Sequence, residues 1–265
     1  MEPLCQRGRA SCGACCGLYN LRDFSRRAVR PLLARRTAAL RSTARTPEAY
    51  RAVAARLSEG AAQPLFPSVR VCPFLGFLDA DETRVGCLAH PLVTGGPDLR
   101  DFGAYDARIC EAFFCPSHSW VSEDEADIAA AICSSDPYLY GLVVTDVPFL
   151  RAALDGLARL TGARVGRRHL CDARFNHALR RLLALKEDLA PGSEGLFGAF
   201  TPAPGGIGGG APDVDAGEAC SVDPEAPPYD AILSCVGADP RSGNDLDRLE
   251  EEVRWRLAAC AAAFP

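Results

Sequence analysis

Four thiols fall within twelve residues near the start of the chain, in Cys5-Gln-Arg-Gly-Arg-Ala-Ser-Cys12-Gly-Ala-Cys15-Cys16. No other feature restricts the fold as much. Thiolates are soft ligands that select zinc, copper(I) or iron–sulfur clusters over oxygen-preferring cations. The spacing Cys12-x-x-Cys15 lets two sulfurs approach one centre from a tight turn, which Gly13 relaxes. The adjacent pair constrains more. Neighbouring side chains in extended or turn backbone diverge, so Cys15 and Cys16 either serve separate centres or divide into a ligand and a supporting residue. Four further thiols follow: Cys72 and Cys87 flank a short apolar run, and Cys110 and Cys115 close the set. Eight clustered thiols suffice for two four-sulfur sites or one polynuclear cluster.

Composition narrows the setting. Thirteen cysteines in 265 residues lie well below the roughly 8–10% of disulfide scaffolds. The first residues lack the apolar run of a signal peptide, and no stretch approaches ~18 uninterrupted apolar residues. The expected compartment is cytoplasmic, where reduced thiols bind metal rather than pair, and no membrane association is expected. Charge is uneven: residues 1–60 carry twelve Arg against four acids, whereas residues 186–265 carry five basic residues against fifteen acids. An acidic tail in the same chain favours docking or solvation over nucleic acid as the use of the basic segment.

Along the chain, residues 21–40 read as a helix interrupted by Pro31. Its apolar positions are Phe24, Val29, Leu32, Leu33 and Leu40, and its basic face is Arg22, Arg26, Arg27, Arg30, Arg35 and Arg36. Thr46 and Pro47 open a second helix that Gly60 stops. The segment 72–87 reads as a β-hairpin with Cys72 and Cys87 at its open end, and Asp79, Asp81 and Glu82 form its solvated turn. A short helix then runs through Tyr105 to Phe114. Further helix signals are the capping box Ser122–Glu125, the cap at Asp146 with an end at Gly162, and the apolar face of 171–190. Residues 190–230 hold nine Gly and seven Pro and read as a linker. Asn244 or Asp245 caps a last helix with Leu246, Leu249, Val253 and Leu257 in one stripe, folding back on the body.

Taken together, Cys12-Gly-Ala-Cys15-Cys16, Cys72-Pro-Phe-Leu, Cys87 with His90-Pro91, and Cys110-Glu-Ala-Phe-Phe-Cys115 resemble the CxxCxxCC (YkgJ-type) cysteine-cluster family, described as a zinc- or iron-chelating domain with eight cysteines. The resemblance covers about residues 1–120. It departs at Arg9, where the family carries its first cysteine, so that Cys5 serves from further away, and in an insertion between His90-Pro91 and Cys110. The resemblance implies chelation without a fixed reaction; flagellin lysine methylases look like they carry a related cluster.

The expected fold is therefore mainly α with a small β-hairpin, a compact metal-organised cysteine-rich half packed on a helical half. The expected divisions are 1–120, 121–190, a linker at 191–230, and 231–265. The expected ligands are Cys5, Cys12, Cys15, Cys16, Cys72, Cys87, Cys110 and Cys115, holding an iron–sulfur cluster or zinc. His90 would serve only in place of a failing cysteine, and His169, Cys171 and His177 read as a helix surface rather than a second cluster. Cys133, Cys171, Cys235 and Cys260 are expected in the core, and Cys220 as an exposed thiol. Two alternatives stay open: a cluster-dependent modifying enzyme, and a zinc-stapled module binding nucleic acid or protein.

Overall fold

The computed structural model describes residues 3–59, 64, 70–188, 226–236 and 243–265. The fold is mainly helical, with two small two-stranded antiparallel sheets. No described helix is long and apolar enough to cross a membrane. The chain divides into two compact units, one of residues 2–115 with 135–141, the other chiefly of 116–134 with 142–265.

In the first unit, β1 (Gln6–Arg7) pairs with β2 (Ala10–Ser11) around Gly8, whose φ of 54° suits a residue without Cβ. This hairpin was not foreseen; two-residue strands are too short for a period-2 pattern to register. Helix α1 (Arg26–Arg41) begins at Ser25, whose side chain accepts from Ala28 N, and runs through Pro31 without a break. The expected interruption is thus corrected. Proline in the second turn removes one backbone donor near the helix start, and apolar burial along α1 outweighs that loss. Helix α2 (Pro47–Ser58) starts at Thr46, which accepts from Ala49 N.

Strands β3 (Leu75–Phe77) and β4 (Val85–Cys87) form the expected hairpin, with Leu75 opposite Cys87. Its turn is held by Asp79, which accepts from Thr83 N and Oγ1 at 2.8 and 2.6 Å. The hairpin is pinned to α1 through Thr37, whose hydroxyl accepts from Phe77 N at 2.8 Å. It is pinned to β2 through Ser11, which accepts from Val85 N at 2.8 Å. Short helices α3 (Pro91–Thr94) and α4 (Ala107–Ala112) follow, α4 capped by Asp106.

The second unit contains α5 (Ser117–Trp120), α6 (Glu123–Ile132), α8 (Val147–Thr161), α9 (Ala173–Leu183), α10 (Leu185–Asp188), α11 (Asp230–Cys235) and α12 (Gly243–Ala262); α7 (Pro137–Val144) begins in the first unit and ends in the second. The Ser122–Glu125 capping box is formed, and Gly162 ends α8 in the left-handed region. The helix expected over 171–190 starts two residues later. Asp172 caps it by accepting from Phe175 N, and it breaks at Ala184. Cys171 therefore lies in a preceding turn and is exposed rather than core. Cys133 and Cys260 are buried as expected, while Cys235 is half-buried. Helix α12 packs on α8 and α9 with Val253, Leu257 and Cys260 inward. The expected linker at 191–230 and Cys220 lie mostly outside the described residues, as do Gly60 and the Leu246 side chain.

Within the first unit, Tyr19 is completely buried and donates to Tyr138 O at 2.8 Å, while Tyr138 and Tyr140 donate to Phe24 O and Leu4 O. Gly141 lies under the Tyr19 ring, and a Cβ there would overlap the Tyr19 hydroxyl. Gly141→Ala is expected to cost about 1–3 kcal/mol by overpacking. A denaturant midpoint unchanged by the substitution would show that the ring moves freely aside.

Candidate metal centre

All eight clustered cysteines belong to the first unit. The short 3₁₀ turn Ala14–Cys16 presents the adjacent pair, and Gly17 follows at φ 79°. A side chain on Gly17 would meet Arg70 O and Val71 Cα at 2.6 and 2.9 Å. Only glycine lets the 70–72 segment lie this close, where Cys72 N donates to Cys16 O at 2.9 Å. Cys12 N in turn donates to Cys5 O at 3.1 Å, and Ala14 N to Cys12 Sγ at 3.4 Å.

By the neighbours that act most on each thiol, the sulfurs sort into two sets of four. Cys15 shares a hydrogen bond with Cys115, which together with burial holds its thiol well above the ordinary range; Cys115 and Cys12 add repulsion. Burial likewise raises Cys12, with Cys115 and Cys5 adding to it. Cys5 is exposed as a residue, yet the partial burial of its sulfur raises it, and Cys115 contributes. Cys5, Cys12, Cys15 and Cys115 therefore form one neighbourhood.

Cys16 turns the other way. Its thiol is raised first by burial and then by Cys72, Cys87 and Cys110. Cys87 is pushed up to about 12 by burial, then by Cys72, with Cys110 behind. Cys110 is raised by burial and Cys72, against the pull of Arg100. Influence across the sets is weaker: Cys16 comes last among the neighbours raising Cys15, and Cys12 last among those raising Cys16. Among the described residues no three His, Cys, Asp or Glu side chains stand close enough to enclose an ion as they are. Among the described residues no cysteine forms a disulfide.

Two histidines have other tasks. His90 Nδ1 accepts from Leu92 N and caps α3. His169 Nδ1 accepts from Gly166 N at 2.9 Å, its Nε2 faces the Arg168 guanidinium, and its ring packs on Phe264. With Nδ1 engaged by the Gly166 backbone and a guanidinium beside Nε2, its surroundings are those of a turn-holding residue.

The basic face expected on the first helix is spent only in part, with Arg27 and Arg35 exposed. Arg22 precedes α1, Arg26 pairs with Asp136 at 2.8 Å, and Arg30 pairs with Glu82 at 2.6 Å. Arg36 is buried at 3% exposure. The sequence carries a signal for this burial: position 36 lies three residues after Leu33 and four before Leu40, on the apolar stripe.

A cleft of about 330 Å³ opens beside Cys72, lined by Arg51, Ser58, Arg70 and Phe102, with Val71 and Pro73 flanking the cysteine. Its described lining holds no histidine, cysteine or carboxylate, so among these residues there is no general acid–base pair. Comparison with family models, with curated proteins and with solved structures gives no match.

Proposed function

We propose that this chain is a cysteine-cluster metalloprotein with two four-thiolate centres. One is built by Cys5, Cys12, Cys15 and Cys115, the other by Cys16, Cys72, Cys87 and Cys110, and they hold iron–sulfur clusters or zinc. The supporting observation is the divergence of the adjacent pair, with Cys15 against Cys115 and Cys16 against Cys72, Cys87 and Cys110. Four sulfurs are the complement of a closed zinc site and of a cuboidal cluster alike. Since no three of these side chains stand close enough as they are, metal loading would have to draw each set together. The reading requires a reducing compartment, which is the cytoplasm.

In zinc form each centre would be structural, contributing on the order of 10 kcal/mol to folding. In cluster form the same sulfurs would hold a redox-active group. The protein is expected to leave an anaerobic, iron-supplemented preparation either brown with acid-labile sulfide, or colourless with two zinc ions per chain. Elemental and sulfide analysis distinguishes these outcomes. A preparation supplied with both metals that retains neither overturns the proposal.

A further inference from the structure

Helix α1 turns Leu33, Arg36, Thr37 and Leu40 toward the interior of its unit. Leucine there packs, and Thr37 satisfies its hydroxyl by donating to Leu33 O at 2.7 Å. Arg36 does neither. It is 3% exposed, and its Nε and Nη1 are buried without a hydrogen-bond partner. Guanidinium keeps its proton under almost all conditions and offers donors only. A buried charge is ordinarily paired, because water has been stripped from it without replacement. The groups that favour its charged form are Cys72 and Cys16; burial, and the neighbouring Arg35, oppose it.

Protonated thiols are poor partners for such a group, whereas thiolates are strong ones. A metal held by four thiolates carries excess negative charge, and a buried donor that answers it orients the ligands and strengthens the site. Arg100 also faces this set through Cys110 and Cys87, but its fork is already engaged by Asp98 at 2.6–2.9 Å. The groups acting most on Cys5, Cys12 and Cys15 are other thiols and the backbone.

Resting on the two-centre reading above, we propose that Arg36 is the charge partner of the Cys16–Cys72–Cys87–Cys110 centre. It donates through Nε and Nη1 to the loaded thiolates and makes this centre the tighter of two unequal sites. Arg36 is here a positioning residue that acts through the ligands. The metal-free protein carries the complementary cost, an uncompensated buried cation.

Cobalt(II) titration of the full chain, followed by the sulfur-to-cobalt charge-transfer band under chelator competition, tests this. Wild type is expected to take two equivalents of unequal affinity. Arg36→Met, which keeps length and apolar packing, is expected to weaken the tighter equivalent by about 10–100-fold and leave the other intact. The weakened equivalent is the one that Cys16→Ala abolishes and Cys15→Ala spares. The same variant, metal-free, is expected to melt at a higher temperature than metal-free wild type, since the unpaired charge is gone. Arg36→Lys, which restores charge without the planar fork, is expected to fall between. A residue that merely packs would give the opposite pair of results, lower melting and two unchanged affinities, and that pair overturns the assignment of Arg36. A wild type that does not take two equivalents overturns the two-centre reading itself.

Discussion

Cys15→Ala is expected to lose one metal centre and keep the other, and Cys16→Ala to lose the reciprocal one. The two residues are adjacent in the chain, so any effect of local backbone disturbance would be shared between them. What differs is the company of each sulfur: Cys15 is hydrogen-bonded to Cys115, while Cys16 faces Cys72, Cys87 and Cys110. Removing one of four thiolates leaves an incomplete site and forfeits much of the metal-linked folding energy of that centre, on the order of 10 kcal/mol. Cys133→Ala provides the contrast. That thiol is fully buried in the other unit, and its loss removes one sulfur atom of packing, about 1 kcal/mol. Metal per chain and melting temperature, measured on variants prepared identically without oxygen, decide the matter. If either single substitution strips all metal from the protein, the eight thiols serve one shared cluster.

Asp146→Asn is expected to be the most damaging single substitution in the helical unit, by about 3–5 kcal/mol. The chain's single lysine, Lys186, is completely buried there, its ammonium 2.6 Å from Asp146 Oδ2 and 3.0 Å from Cys235 O. Asp146 also caps α8, accepting from Phe149 N at 3.0 Å. Asparagine keeps the capping oxygen and removes only the counter-charge, so the loss reports the stranded lysine. Asp146→Ala should add about 1 kcal/mol for the missing cap. Pairing Asp146→Asn with Lys186→Met should recover most of the loss, because the buried charge disappears with its partner. Urea unfolding of the three variants gives the comparison, and a double variant no more stable than Asp146→Asn would mean that the pair is not the source of the effect.

The basic stripe on α1 illustrates how one pattern supports several readings. Six arginines between positions 22 and 36 suggest a nucleic-acid surface on charge alone. Folding gives three of them separate uses, Arg26 and Arg30 on carboxylates and Arg36 in the interior near two thiols, and leaves Arg22, Arg27 and Arg35 exposed. Counting charge along a helix gives its amount, and only the neighbours give its use.

Local chemistry made much of this protein legible. Ser122 and Glu125, Thr46 and Pro47, and Asp146 and Gly162 mark helix ends because they answer unpaired backbone groups within a few residues. The 72–87 hairpin was readable from two apolar runs about a polar turn, and the eight thiols from their spacing. The errors at Pro31 and Cys171 are of the same local kind, one backbone donor and one capping carboxylate weighed wrongly. The division of the thiols was not legible. Adjacency implied that Cys15 and Cys16 diverge, but which sulfurs each would meet depends on Gly17 admitting the 70–72 segment and on Ser11 and Thr37 fixing the hairpin. Arg36 followed the same rule. Its position on an apolar stripe was a matter of sequence; the thiols at the end of its side chain were brought there by contacts dozens of residues away, which no local periodicity encodes.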